Sequence, residues 1–260
     1  MLPTAASLEG KPVPQVIFKP RNNGQSRDLS SEDLFKGKTV VVFALPGAYT
    51  PTCSTSHLPR FNELAPLMRR QGIDDIICIA VNDPFVMDEW GRSQEAEHIT
   101  MIPDGNGEFT EGMGLLVDKR DLGLGQRSWR YSMLVRDGIV DKIFIEPDRE
   151  GDPFEVSDAD TMLRHIAPDA TAPEPVVMFS KPGCPFCARA KAVLKARGIV
   201  YTDISQDGKI NASVLRGVSG NTTWPQVFEG GRLIGGADEV DAYFGTLPAT
   251  ATDAIPGVPS

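Results

Sequence analysis

The stretch VVMFSKPGCPFCARAKAVLKARG, Val176–Gly198, decides how this chain folds. Val176–Ser180 is an apolar run of strand length. Three residues later come Cys184-Pro185-Phe186-Cys187, and Pro is favoured at the first position of a helix. The periodic run that follows ends at Gly198, a helix stop. A cysteine therefore stands between a strand and a helix. The unpaired N–H groups and the dipole at a helix start stabilise a thiolate, the reactive form of the side chain. Cys184 is the candidate nucleophile. Cys187 lies one turn inside, within reach of Cys184 but more shielded, and is the candidate resolving thiol. A zinc site would need a second C-x-x-C or an H-x-x-x-H pair. His57, His98 and His165 lie far off in sequence, and no metal is expected.

Working outward, the remainder of this segment repeats the strand–helix alternation on a small scale. "IVYTDIS" reads as a strand, "ASVLRGVSG" as a short helix, "PQVFEGGRLIGG" as a hairpin turning at Gly230-Gly231, and Ala237–Phe244 as a last helix. The same layout appears on a larger scale before it. "PQVIFK" reads as a strand, followed by a turn at Asn23-Gly24. "KTVVVFALP" and "IICIAV" are buried strands, apolar without alternation. "CSTSHLPRFNELAPLMRRQG" reads as a helix with Cys53 at its start, stopped by Gly72 and kinked at Pro66. "DPFVMDEWGRSQ" reads as a helix capped by Asp83, "YSMLVRDGIVDKIFIEP" as a hairpin turning at Asp137-Gly138, and "SDADTMLRHI" as a helix with a Ser-x-x-Asp start. "APDATAPEP", residues 167–175, has three prolines and no large apolar residue, and reads as a semi-rigid linker of about 28 Å if extended. The expected division is a domain over 1–166, the linker 167–175, a second domain over 176–245 and a disordered tail over 246–260.

Composition agrees with two globular α/β domains. The chain has 260 residues, 41% hydrophobic and 23% charged. A net charge of −9 argues against nucleic-acid binding. No apolar run approaches the roughly 20 residues of a membrane span, and the N-terminus lacks the pattern of a signal peptide. A cytoplasmic protein with reduced thiols is the expectation.

"SKPGCPFC", "TTWPQVFEGG" and "IGGADEVDAY", in this order and spacing, resemble glutaredoxin over 175–245. The resemblance implies a glutathione site. Lys181 would face the glycine carboxylate, and the backbone of Trp224, before a cis Pro225, would pair with the cysteinyl group. Gly235, Gly236, Ala237 and Asp238 would hold the γ-glutamyl end. The family more often has Thr-Val-Pro, so Trp224 is a departure.

Cys53 lies in "LPGAYTPTCSTSHLP". The pattern Pro46-x-x-x-Thr50-x-x-Cys53 resembles the peroxiredoxin active site. With "IAVNDPFVMDEW" and "RYSMLVRDGIVDKIFIEPD", the string is similar to the type-five branch over residues 10–165. The resemblance implies two thioredoxin-like α/β domains, and it makes Arg130 the active-site arginine. Splitting a peroxide needs a thiolate, donors aimed at the peroxide and stabilisation of the leaving oxygen. Cys53 supplies sulfur; the Thr50 hydroxyl and the N–H groups of Gly47 and Cys53 supply donors; Arg130 polarises the peroxide; Pro46 shields the sulfur. His57 is expected to pack beside the active-site loop or at a subunit interface, and Cys78, inside a strand, to be inert.

Some type-five members carry a resolving cysteine late in the domain, but "EPDREGDPFEVSD" has none. Oxidised Cys53 then needs an external thiol. The reading is a glutathione-dependent peroxidase acting on hydrogen peroxide and alkyl hydroperoxides. Glutathione is the reducing co-substrate, and metal, haem and flavin play no part. The resemblance also implies a homodimer or homotetramer. Two other readings stand beside it. A peroxide-sensing relay to client proteins would show little glutathione-supported turnover. An iron–sulfur-bridging glutaredoxin would more often carry C-G-F-S than Cys184-Pro185-Phe186-Cys187.

Overall fold

The computed structural model describes residues 2–22 and 25–246. The expected Asn23-Gly24 turn and the tail beyond Thr246 lie outside the described residues. The chain divides into two compact units, at Ala172/Pro173.

In the first unit the central strands are β1 (Thr39–Ala44), β2 (Asp75–Ala80), β3 (Thr100–Pro103), β4 (Tyr131–Arg136) and β5 (Ile139–Ile145). They form one sheet in the order β5-β4-β1-β2-β3. β1, β2 and β3 run parallel, while β4 is antiparallel to both β1 and β5. β1 and β2 are buried on both faces, which is why they read as unbroken apolar runs. Val41, Phe43 and Cys78 enter one core cluster, and Val40, Val42 and Ile77 enter the other. The β4–β5 turn falls at Asp137-Gly138, both at positive φ (48° and 76°), as a two-residue hairpin of this sequence requires.

Helices α1 (Leu58–Arg70), α2 (Pro84–Ser93) and α3 (Ala159–Ile166) flank the sheet. α2 begins as the sequence indicates, with the Asp83 carboxylate accepting from the N–H groups of Phe85 and Val86. Two expectations are corrected. The helix starting at Cys53 does not begin as an α-helix: Cys53–His57 form a π-turn in which the Leu58 N–H donates to the Cys53 carbonyl. Pro59 has no N–H to give the Thr55 carbonyl, so the ladder opens by one residue there. The cap of α3 is Asp158, which accepts from the Thr161 N–H, while the Ser157 hydroxyl donates to Glu146 at 2.7 Å. The stretch 167–175 is shared between the units. Ala167, Ala170 and Ala172 pack against the first unit's core, and the second unit begins at Pro173. Its alanines are small and apolar enough to be covered.

The second unit contains β6 (Val176–Ser180), α4 (Pro185–Ala196), β7 (Tyr201–Ser205), α5 (Ala212–Ser219), β8 (Gln226–Glu229), β9 (Arg232–Gly235) and α6 (Ala237–Phe244). The sheet order is β7-β6-β8-β9, with β6 and β7 parallel. Val176 and Met178 of β6 meet Ala190 and Leu194 of α4 and Val240 and Phe244 of α6 in one core. No helix among the described residues is long and apolar enough to cross a membrane.

Candidate active sites

The first site lies at the C-terminal end of β1. The chain leaves the sheet at Ala44, and Pro46 and Gly47 remain buried. The loop then rises to Tyr49, 55% exposed and at φ 62°, a conformation costly for a tyrosine. A side-chain clamp holds this loop: Asn82, just beyond β2, accepts from the Ala48 N–H at 3.0 Å. Gly47 leaves little room beside this clamp: an added Cβ would stand 3.3 Å from Asn82 Oδ1, which would have to give by a few tenths of an ångström. The Thr50 hydroxyl donates to the Gly47 carbonyl at 2.8 Å. Its proton is committed to the loop, and it offers lone pairs instead of the donor expected from the sequence.

Cys53 is fully buried below this loop. Arg130, at the residue before β4, is only 1% exposed, and Cys53 is among the neighbours that favour its charged form. A buried, unpaired guanidinium would cost several kcal/mol, so its other donors must be satisfied. Nε donates to Asp152 Oδ1 at 3.1 Å, and Nη2 reaches both oxygens of the same carboxylate. Nη1 donates to His57 Nδ1 at 3.1 Å, and the Phe154 ring lies 5.4 Å from the guanidinium carbon. Burial works against the Arg130 charge, yet the Asp152 and Cys53 partners outweigh it and raise its pKa.

His57 completes the cluster. Arg130 can only donate to Nδ1, so Nε2 carries the ring proton and donates to the Ser157 carbonyl at 3.1 Å. Burial, and then the neighbouring guanidinium, push its pKa down to about 3, so the ring stays neutral. The expected packing role holds in part: His57 lies between Phe43, Phe61 and Phe154 and also orients the arginine. Glu146 ties down the segment behind it, accepting from the N–H groups of Glu155, Val156 and Ser157. Cys78 is buried, and burial raises its thiol well above the usual range. The sequence reading missed Asp152, Phe154 and Asn82. A run of acidic and loop-forming residues carries no signal of which carboxylate turns inward.

The second site surrounds Cys184, the N-cap of α4. The Cys187 N–H donates to Cys184 Sγ at 3.4 Å, and the sulfur lies 3.9 Å from the Trp224 carbonyl. Burial opposes ionisation of Cys184, but the Cys187 thiol, the Cys187 and Phe186 N–H groups and the Lys181 charge together lower its pKa. Cys187, by burial and then by its bond to Cys184, is raised to about 11. The pair is divided into a ready nucleophile and a protonated partner. The Trp224–Pro225 peptide is cis. A groove of about 430 Å³ joins Cys184 to Lys181, Trp224, Pro225, Gly236, Ala237 and Asp238. Gly235, at φ 135°, does not line this groove. Asp238 is engaged by Arg189.

Comparison with known proteins follows the same division. Residues 8–163 match the Redoxin family, and residues 176–234 match Glutaredoxin. The chain is 56% identical over 239 residues to the hybrid peroxiredoxin hyPrx5 of Haemophilus influenzae, covering 92% of this chain and 99% of that one. It is 51% identical over 183 residues to the peroxiredoxin sll1621 of Synechocystis, covering 64% of this chain and 96% of the relative. Among solved structures, reduced Prx3 of Vibrio vulnificus in complex with H2O2 is 39% identical with a TM-score of 0.58, over 61% of this chain and 98% of that one. The Plasmodium falciparum antioxidant protein, a 1-Cys peroxiredoxin, is 32% identical with a TM-score of 0.58, over 62% and 99%. With one family on each compact unit and a full-length hybrid relative, this chain is a peroxiredoxin–glutaredoxin hybrid, a Redoxin unit and a glutaredoxin unit in a single polypeptide.

Proposed function

We propose that the chain is a glutathione-dependent peroxidase. The Cys53 thiolate attacks the peroxide; an S–O bond forms, the O–O bond breaks, and water or alcohol leaves. Arg130 stabilises the thiolate and the departing oxygen, and Thr50 accepts a hydrogen bond from the peroxide. Glutathione condenses with the sulfenic acid, releasing water and leaving a Cys53–glutathione disulfide. Cys184 attacks the glutathione sulfur and frees the Cys53 thiolate. A second glutathione, or Cys187, then clears Cys184. Lys181 and the α6 N-terminus at Gly236–Asp238 suit the two carboxylates of glutathione. The cycle requires no resident metal or organic cofactor. A homodimer or homotetramer belongs to the same proposal, since Ile17, Tyr49, Phe85 and Leu122 are each more than half exposed.

The observation that supports it most is the distribution of thiols. Cys53 has Arg130 beside it, while Cys78 is sealed in the core. The stretch 146–158, which carries Asp152 and Phe154, contains no second thiol to resolve Cys53. The exchange-ready sulfur is Cys184. Peroxide consumption coupled to glutathione, glutathione reductase and NADPH tests it. Cys53→Ser abolishes turnover. Cys184→Ser slows it about tenfold or more and accumulates one glutathione per chain, at Cys53. Turnover with a dithiol reductant but none with glutathione would sink the proposal.

A further inference from the structure

The segment that lacks a resolving cysteine, residues 146–158, instead delivers a carboxylate to the reactive site. Arg130 has five N–H groups. Asp152 takes the Nε edge and Nη2, and His57 takes one proton of Nη1. At least one Nη1 proton is left over by these partners, and Cys53 is the other group acting on the guanidinium. A planar guanidinium gripped along one edge by both oxygens of a carboxylate has its plane and rotation set together. Phe154, two residues on, closes over its face.

We infer that Asp152 is a positioning residue for peroxide reduction: it fixes the plane of Arg130, so that the remaining N–H groups meet the Cys53 thiolate and the peroxide. This rests on the peroxidase reading. The step it serves is attack of the thiolate on one peroxide oxygen. The S–O bond forms, the O–O bond breaks, and the leaving oxygen draws a proton from water while the guanidinium stabilises its charge. Asp152 does not touch the reacting atoms. An exposed ion pair would contribute little, but this one differs. Arg130 is 1% exposed, and only the carboxylate side, at 38%, opens to solvent. Asp152 therefore stands at the mouth of the site, where a small carboxylate from solution can take its place.

The test measures the first step alone, on the full chain without glutathione. Reduced protein receives one equivalent of hydrogen peroxide, and sulfenic acid at Cys53 is trapped with dimedone and located by peptide mapping. Asp152→Ala slows Cys53 oxidation about tenfold or more. Sodium formate at tens of millimolar restores several-fold of that loss in Asp152→Ala and does nothing in the wild type. Asp152→Asn, which keeps the shape and one acceptor, falls between the two and stands in for the alanine variant should that fail to fold. An Asp152→Asn rate equal to wild type overturns the inference. So does a folded Asp152→Ala that is within twofold of wild type, or that is slow but indifferent to formate. Cys53 failing to oxidise in the wild type would instead refute the peroxidase reading itself.

Discussion

At the scale of single residues, the first site is built on one neutral imidazole. His57 binds its proton in the unfolded chain near the ordinary value of 6.5 and in the folded chain only at about 3. A depressed base contributes stability that is whole above pH 6.5 and is lost as pH falls. The loss approaches about 1.4 kcal/mol per pH unit. Urea unfolding of wild type and His57→Gln between pH 7 and 4.5 separates this effect from the carboxylates, which are common to both. The expected result is a shallower acid loss in the variant; identical slopes would mean that the ring is protonated in the fold. Cys53, Thr50 and Pro46 were legible because their spacing resembles the peroxiredoxin motif, and Arg130 only through that resemblance, since an arginine taken alone reads as a surface residue. The sequence did not show Asp152, because the turn of a loop depends on what it packs against. Nor did it show the direction of the Thr50 hydroxyl, which the Gly47 carbonyl decides.

At the scale of elements, the strands and the Asp83 cap of α2 were legible, while the cap of α3 and the first turn after Cys53 were not. Apolar runs buried on two faces, an Asp-Pro helix start and an Asp-Gly hairpin each have one local solution. The π-turn is followed at once by Pro59, which has no N–H for the Thr55 carbonyl, and periodicity alone carries no sign of that. That widened turn sets how Cys53 and His57 face Arg130. Pro59→Ala restores a donor and lets the turn tighten to α geometry, which favours the helix. Cys53 oxidation is expected to slow by about tenfold, because displacement of a reacting group by about 1 Å is costly, while the melting temperature holds or rises. A variant that loses stability and keeps its rate would show that the π-turn is incidental to the chemistry.

At the scale of the whole molecule, the chain is two folding units with a core each, divided at Ala172/Pro173. The proline-rich composition of 167–175 announced a boundary, but composition could not show that its alanines pack on the first unit. Under the proposed cycle the tether keeps the second unit at an effective concentration on the order of mM relative to the first. A protease site introduced after Pro173 and cleaved should lower glutathione-supported turnover at nanomolar protein. Adding the detached unit in excess should restore it. Equal rates for cut and intact chain would deny the tether any such part.

The placement of the indole rings gives the two sites an optical consequence. Trp90 donates from Nε1 to the Ser54 hydroxyl at 3.1 Å, one residue beyond Cys53, and the Trp224 carbonyl faces Cys184. Trp129, the third, donates to the Glu146 carbonyl, in the residue that anchors the loop behind His57. Trp90 and Trp129 are buried and Trp224 is half-buried, so the expected outcome of an emission scan is a bluer contribution from the first two. Each reactive sulfur thus has its own intrinsic fluorophore, and the oxidation state of either can be followed by light without a label.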